Sequence, residues 1–209
     1  IFYTGNPIRP EIFKYKKDYK THHQDGFLNL LIFGGSQGAS FFSDIIPDSI
    51  NKLDNKKKSL LRVFHQVRNN EFERVKKCYH SMNVKSEVKT FFYNLPELLN
   101  NSHLLISRSG ASTVAEVAAT KTPAIFIPFH HSIDDDQRLN TIELEKIGQV
   151  IVKNEKKLDS NKLYKVINEL IEKPEILEKM AKANKEIVAN NSSEKIRSII
   201  DDLLSNREL

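Results

Sequence analysis

Residues 104–119 read LLISRSGASTVAEVAA. An apolar run ends at Ile106, the chain passes through Ser107, Arg108, Ser109 and Gly110, and apolar residues at helical spacing begin at once. A strand that stops in a small, hydroxyl-rich turn and restarts as a helix is the joint of a β-α crossover unit. Ser112 or Thr113 is placed to cap that helix, and Glu116, three residues after Thr113, completes the pattern of a capping box. The same residues admit a second reading. Backbone N–H groups at a helix start, here those after Ser109 and Gly110, attract an anion such as a phosphate. A carboxylate at Glu116 can accept both hydroxyls of a ribose.

The joint recurs upstream. FLNLLIF at 27–33 runs into Gly34, Gly35, Ser36, Gln37, Gly38 and Ala39, and a helical pattern follows. Glycines let the backbone turn sharply and approach a ligand closely. Further apolar runs fall at 60–65, 84–92, 103–106, 123–128 and 150–152, with helical spacing at about 39–53, 70–82, 95–100, 112–120 and 136–147. Short runs alternating with helices predict an α/β fold, a Rossmann-like parallel sheet with helices on both faces. Strands that are apolar throughout rather than alternating require burial on both sides. After Ser160 the pattern is helical only, with Pro174 in a first turn and Ser192 or Ser193 as a cap. The division expected is a polar interdomain linker at 1–26, a nucleotide-binding domain at 27–158 and a helical C-terminal extension at 159–209.

In open sheets of this kind ligands sit outside the carboxyl ends of the strands, so two such turns at strand ends favour one shared nucleotide. The glycine loop is not G-x-G-x-x-G and no acidic residue closes a second strand, which argues against a nicotinamide cofactor. Residues 129–140, FHHSIDDDQRLN, carry His130, His131 and three aspartates, yet their spacing matches no strong ligand motif. No metal site and no cofactor are expected. Gln137 and Asn140 share a helical face, where amides suit sugar hydroxyls; a plain polar surface reads the same way. Arg9, in GNPIRP, is a guanidinium able to clamp a diphosphate or a simple surface charge. His65 and Gln66 end one apolar run, and residues 91–94, FFYN, end another.

The 209 residues, 39% of them hydrophobic, suffice for a sizeable core, and the net charge of +5 suits anionic partners without choosing among them. The single Cys78 excludes an internal disulfide and fits a reducing compartment. No apolar run approaches the roughly 20 residues of a membrane span. The chain starts at Ile1 rather than Met and reads like the middle of a protein, which suggests a fragment.

GNPIR, GGSQGA, HQ, FFYNL, SRSGASTVAE, PAIFIPF and DDQRLN follow one another in an order that resembles the carboxy-terminal half of the MurG family. These are GT-B glycosyltransferases that move N-acetylglucosamine from UDP-N-acetylglucosamine to a lipid-linked muramoyl-pentapeptide, a step of peptidoglycan synthesis. The resemblance implies one half of a GT-B fold, in which two Rossmann-like domains face each other across a cleft. Arg9 and Ser36 would meet the diphosphate and Phe92 would contact uracil through its backbone. Ala111, Ser112, Thr113 and Glu116 would wrap the nucleotide, with Glu116 on the ribose. Asp136 and Gln137 would reach the sugar, supported by Asn140. The catalytic base is not assigned.

The implied partners are UDP-N-acetylglucosamine, the lipid-linked acceptor, the amino-terminal half of the same enzyme and a membrane surface contacted peripherally from the bacterial cytoplasm, with no nucleic acid. The chain departs from the family pattern at Tyr93 and Asn94, at Lys121 and Thr122, and at Asp136. Other readings of the same residues are another UDP-sugar GT-B enzyme, such as a diacylglycerol glycosyltransferase or a UDP-N-acetylglucosamine epimerase, and a nucleotide-binding module without catalysis.

Overall fold

The apolar runs become strands because helices cover both faces of the sheet they form. A computed structural model describes residues 1–2, 4–14, 19, 26–35, 40–130, 135–184 and 192–205. The strands are β1 (Leu28–Phe33), β2 (Leu61–Gln66), β3 (Lys85–Lys89), β4 (Leu104–Ser107), β5 (Ala124–Phe126) and β6 (Val150–Val152). All pairings are parallel, in the order β3-β2-β1-β4-β5-β6, so the chain winds outward from the centre in two directions. The Rossmann-like sheet expected from the sequence is the one observed.

The helices, in chain order, are α1 (Glu11–Lys14), α2 (Ser40–Asn51), α3 (Asn55–Leu60), α4 (Phe72–Ser81), α5 (Leu95–Asn101), α6 (Ala111–Thr120), α7 (Asp136–Leu139), α8 (Ile142–Lys146), α9 (Ser160–Glu172), α10 (Pro174–Ala183) and α11 (Ser192–Ser205). Two cores flank the sheet, and the period of two along each strand assigns its side chains to them alternately. Leu30, Ile32, Leu104, Ile106 and Ile125 pack with α2, α4, α9 and α10. Leu31, Leu105, Ala124 and Phe126 pack with α1, α5 and α6.

The edge strand β3, KSEVK, has only Val88 buried, and its charged side chains blunt the open edge against pairing with another chain. The apolar run had suggested a strand to residue 92; the ladder stops at Lys89, whose carbonyl accepts from Val67 N at 2.9 Å, and Phe91 and Phe92 lie in the turn beyond.

Leu163, Ile167, Leu170, Leu177 and Met180, beyond residue 158, lie in the same core as Ile32 and Ile46. Asp159 starts α9 by accepting from Lys162 N at 2.9 Å. Ile8 and Ile12, within the segment read as a linker, are buried against the opposite face. The linker's far end meets the last helix: a Cβ on Gly5, whose φ is +73°, would lie 2.9 Å from Ser192 Oγ. Among the described residues no helix is long and apolar enough to cross a membrane.

Candidate nucleotide-binding site

β1 and β4 lie side by side, with Phe33 opposite Ser107. The helix that follows β1, α2, packs on one face, and the helix that follows β4, α6, packs on the other. The two connections therefore part at the rim, and the space between them is the crevice where open α/β sheets take their ligands. Gly34 and Gly35 form one wall. Gly35 has φ +89°, a conformation that a side chain would strain, and its carbonyl accepts from Gln66 Nε2 at 3.0 Å. Ser36, Gln37, Gly38 and Ala39 lie outside the described residues.

Residues 108–110 and the start of α6 form the other wall. Gly110 is the N-cap, in extended conformation, with no side-chain cap. The helix begins at Ala111, which places Ser112 and Thr113 inside the first turn, too late to cap it. The capping box suggested by the sequence therefore does not form. Among the described residues no side chain caps the amino-terminal N–H groups of α6, which leaves an anion-binding helix end beside the crevice.

Glu116, one turn inside α6, is instead paired with Arg9. Nε donates to Oε1 at 2.6 Å and Nη2 to Oε2 at 2.8 Å, a bidentate fork. The hydrogen bond to Glu116 holds the Arg9 guanidinium above its ordinary value. The loop carrying Arg9 is anchored by buried Ile8 and by Ile12 N donating to the Arg9 carbonyl at 3.0 Å. The two residues were expected on diphosphate and ribose respectively; their pairing with each other had no sequence signal.

Arg108 was also missed. It lies buried behind the crevice and donates to the carbonyls of Ile127 and Pro128 at 3.0 and 3.3 Å and to Glu155 Oε1 at 2.6 Å. Its guanidinium faces the rings of Phe41, Phe42 and Phe129 at 5.6, 5.0 and 5.2 Å. Arg108 thus ties the end of β4 to the ends of β5 and β6 and to the first turn of α2. Glu155 Oε2 accepts from His130 N at 3.1 Å and lies 2.6 Å from His130 Nδ1. Burial pushes the Glu155 carboxyl up, but the hydrogen bonds from Arg108 and His130 outweigh it and hold it below the usual range. The signal in the sequence was a long cation at the end of an apolar strand, where it has to find a buried partner.

Gln137 and Asn140 each bond a backbone group, one on the loop after β5 and one on the turn after β4. Gln137 Oε1 accepts from Phe129 N at 3.0 Å, and Asn140 Nδ2 donates to the Ser109 carbonyl at 3.0 Å. Ser109 Oγ donates to the Gln137 carbonyl at 2.8 Å. α7 is thereby fastened to the turn after β4. Asp136 is exposed at the start of α7. Phe92 is buried at 2% exposure, while Phe91 and Tyr93 stack edge to face in the open at 4.9 Å. Among the described residues no cluster of His, Cys, Asp and Glu is arranged to hold a metal ion; His131 and Asp134 lie outside them. Beside the site, at the outer rim, Phe129, His130, Arg138, Lys153 and Glu155 line a cavity of about 330 Å³.

His65, at the end of β2, does not reach the crevice. It is fully buried, with Nδ1 2.9 Å from Tyr79 Oη and no partner for Nε2. Burial, with the nearby Arg74 charge adding to it, pushes its value from 6.5 down to about 3. The unfolded chain therefore takes up this proton first as pH falls. The stabilisation is complete above about pH 6.5 and is lost progressively toward pH 3. Between pH 7 and pH 5 this one group should lower the unfolding free energy by about 2 kcal/mol. Urea unfolding at the two pH values measures it, and His65→Gln should remove that part of the slope. An equal slope in the variant would assign the pH dependence elsewhere.

Residues 29–203 match the family model described as "Glycosyltransferase family 28 C-terminal domain". A relative from Bartonella quintana (strain Toulouse), named "UDP-N-acetylglucosamine--N-acetylmuramyl-(pentapeptide) pyrophosphoryl-undecaprenol N-acetylglucosamine transferase", is 36% identical over 206 residues, 98% of this chain and 54% of its own. A relative of the same name from Rhizobium etli (strain CIAT 652) is 38% identical over 185 residues, 87% of this chain and 49% of its own. The chain spans about half the length of the curated relatives it matches.

Among solved structures, Acinetobacter baumannii MurG superposes with a TM-score of 0.75 at 27% identity, over 85% of this chain and 53% of that one. A Staphylococcus aureus MnaA structure with UDP superposes at 0.63 with 15% identity, over 93% of this chain and 52% of that one, a likeness of fold alone. By family match and relatives together, the chain belongs to the glycosyltransferase family 28 C-terminal domain family.

Proposed function

We propose that this chain is the donor-binding half of a hexosyltransferase that moves N-acetylglucosamine from UDP-N-acetylglucosamine to a lipid-linked muramoyl-pentapeptide. The observation that carries the reading is the crevice between β1 and β4, where an uncapped helix end lies one turn from a carboxylate. The diphosphate sits against the first turn of α6 and the glycine loop 34–38, with Ser36 on a phosphate. The ribose diol lies on Glu116, and the uracil meets the backbone of Phe92. Gln137, Asp136 and Asn140 face the sugar. The names of the relatives support the donor and the acceptor.

In transfer, an acceptor hydroxyl displaces UDP, and negative charge grows on the leaving diphosphate. Preorganised N–H dipoles at the start of α6 stabilise that charge in place of water. The acceptor site and the other wall of the cleft come from an amino-terminal half, at the cytoplasmic face of a membrane. Titration calorimetry with UDP, UDP-N-acetylglucosamine and NAD tests the donor assignment. Binding of both uridine ligands and not of NAD is expected. Binding of NAD without UDP would refute it.

A further inference from the structure

In the ligand-free fold the carboxylate proposed for the ribose is already occupied. The Glu116 side chain is 8% exposed, and both of its oxygens are taken by Arg9, whose own side chain remains 49% exposed. A vicinal diol approaching Glu116 meets the guanidinium on the same pair of oxygens. A carboxylate has further lone pairs, but the converging ones that suit two adjacent hydroxyls are those the fork occupies. The diol therefore has to displace Arg9. A displaced guanidinium needs another anion, or it forfeits a charge-assisted pair and returns to water. Arg9 uses only Nε and Nη2 on Glu116, so Nη1 remains to meet an incoming oxyanion before the fork opens. The acceptor such a group matches best is a phosphate oxygen.

We infer that the Arg9–Glu116 pair is a specificity device: it admits the ribose only when the same ligand brings a phosphate to receive Arg9, so the site selects nucleoside diphosphates over bare nucleosides. The inference rests on the donor reading above. Binding is an exchange of partners. Arg9 passes from the Glu116 carboxylate to a phosphate, and Glu116 passes from Arg9 to the diol. A nucleoside without phosphate has to break the pair and offers nothing in return. The bridge joins positions 107 residues apart, one on the loop that precedes the domain and one on α6. The exchange therefore also moves the Arg9 side chain from Glu116 toward the amino-terminal end of α6 whenever ligand is present.

The test is titration of uridine and of UDP into the whole chain, followed by protein-observed NMR, which reads millimolar constants. Arg9→Met should bind uridine up to about fivefold more tightly than wild type, the worth of a partly exposed ion pair. The same variant should bind UDP about 10- to 100-fold more weakly, the worth of hydrogen bonds to a charged group. Arg9→Lys, which keeps the charge without the planar fork, should fall between, and it stands in if the methionine variant loses its folded spectrum. The Arg9 Nε–H resonance should shift as UDP saturates the site.

Equal weakening of uridine and UDP in Arg9→Met would overturn the inference and make Arg9 a support for Glu116. An unmoved Nε–H signal at saturating UDP would overturn it as well. Wild-type protein that binds no UDP would instead remove the donor reading, and this inference with it.

Discussion

Arg108→Met is expected to lower the unfolding free energy by about 3–5 kcal/mol, the usual effect of removing one partner of a buried ion pair. Both side chains are enclosed, at 10% and 7% exposure, so solvent screening offers little relief. The variant leaves the Glu155 carboxylate inside with His130 alone, and it strips the Ile127 and Pro128 carbonyls of their donor. For a chain of this size the melting temperature should fall by roughly 10 °C. Arg108→Met combined with Glu155→Leu should recover a large part of the loss, because the stranded charge goes with its partner. Urea unfolding of the two single variants and the double variant measures this. A double variant as unstable as the sum of the singles would mean that packing on Phe41, Phe42 and Phe129 sets the stability at this point.

Gly110→Asp should separate stability from binding by moving them in opposite directions. Gly110 is the N-cap of α6, with φ −61° and ψ 147°, and a Cβ there meets nothing within 4 Å. Aspartate is a better N-cap than glycine and complements the helix dipole, so the variant should be more stable by about 0.5–1 kcal/mol. The same carboxylate then occupies the end of the helix where the diphosphate is proposed to sit. Like charges about 5 Å apart repel by about 3 kcal/mol at an effective dielectric of about 20, which weakens UDP on the order of 100-fold. Gly110→Asn has the same shape without the charge and should keep affinity within a few-fold of wild type. Calorimetry with UDP and thermal unfolding of both variants give the comparison. If aspartate and asparagine weaken UDP equally, space rather than charge is limiting and the phosphate lies elsewhere.

The sheet was legible because burial on both faces leaves a plain mark: LNLLIF, LLIS and AIF are apolar along nearly their whole length. The turn after β4 was legible because the small residues Ser109 and Gly110 stand between an apolar strand and a helical pattern. What escaped the reading depends on partners far away in the chain. α3, NKKKSL, has no apolar period. It forms because Asp54 accepts from Lys57 N at 2.8 Å and because Lys57 Nζ reaches Asn168 and Glu172 on α9 at 2.7 and 2.5 Å. Arg108 and Glu155 are 47 residues apart, and nothing in EKK marks its acid as buried. Glu116 looked like half of a capping box because local spacing cannot register a guanidinium 107 residues upstream. Residue types and strand ends were local facts, whereas the identity of each polar partner was set by the closing of the sheet.

The most direct measurement is amide shift mapping of the ¹⁵N-labelled chain as UDP is added. If the nucleotide occupies the crevice between β1 and β4, the amides of Gly34, Gly35, Gly110, Ala111 and Glu116 should move together, with one dissociation constant. Shifts confined to the outer cavity at Phe129, His130 and Lys153, with the amides of Gly35 and Gly110 unmoved, would contradict a nucleotide held at the switch point.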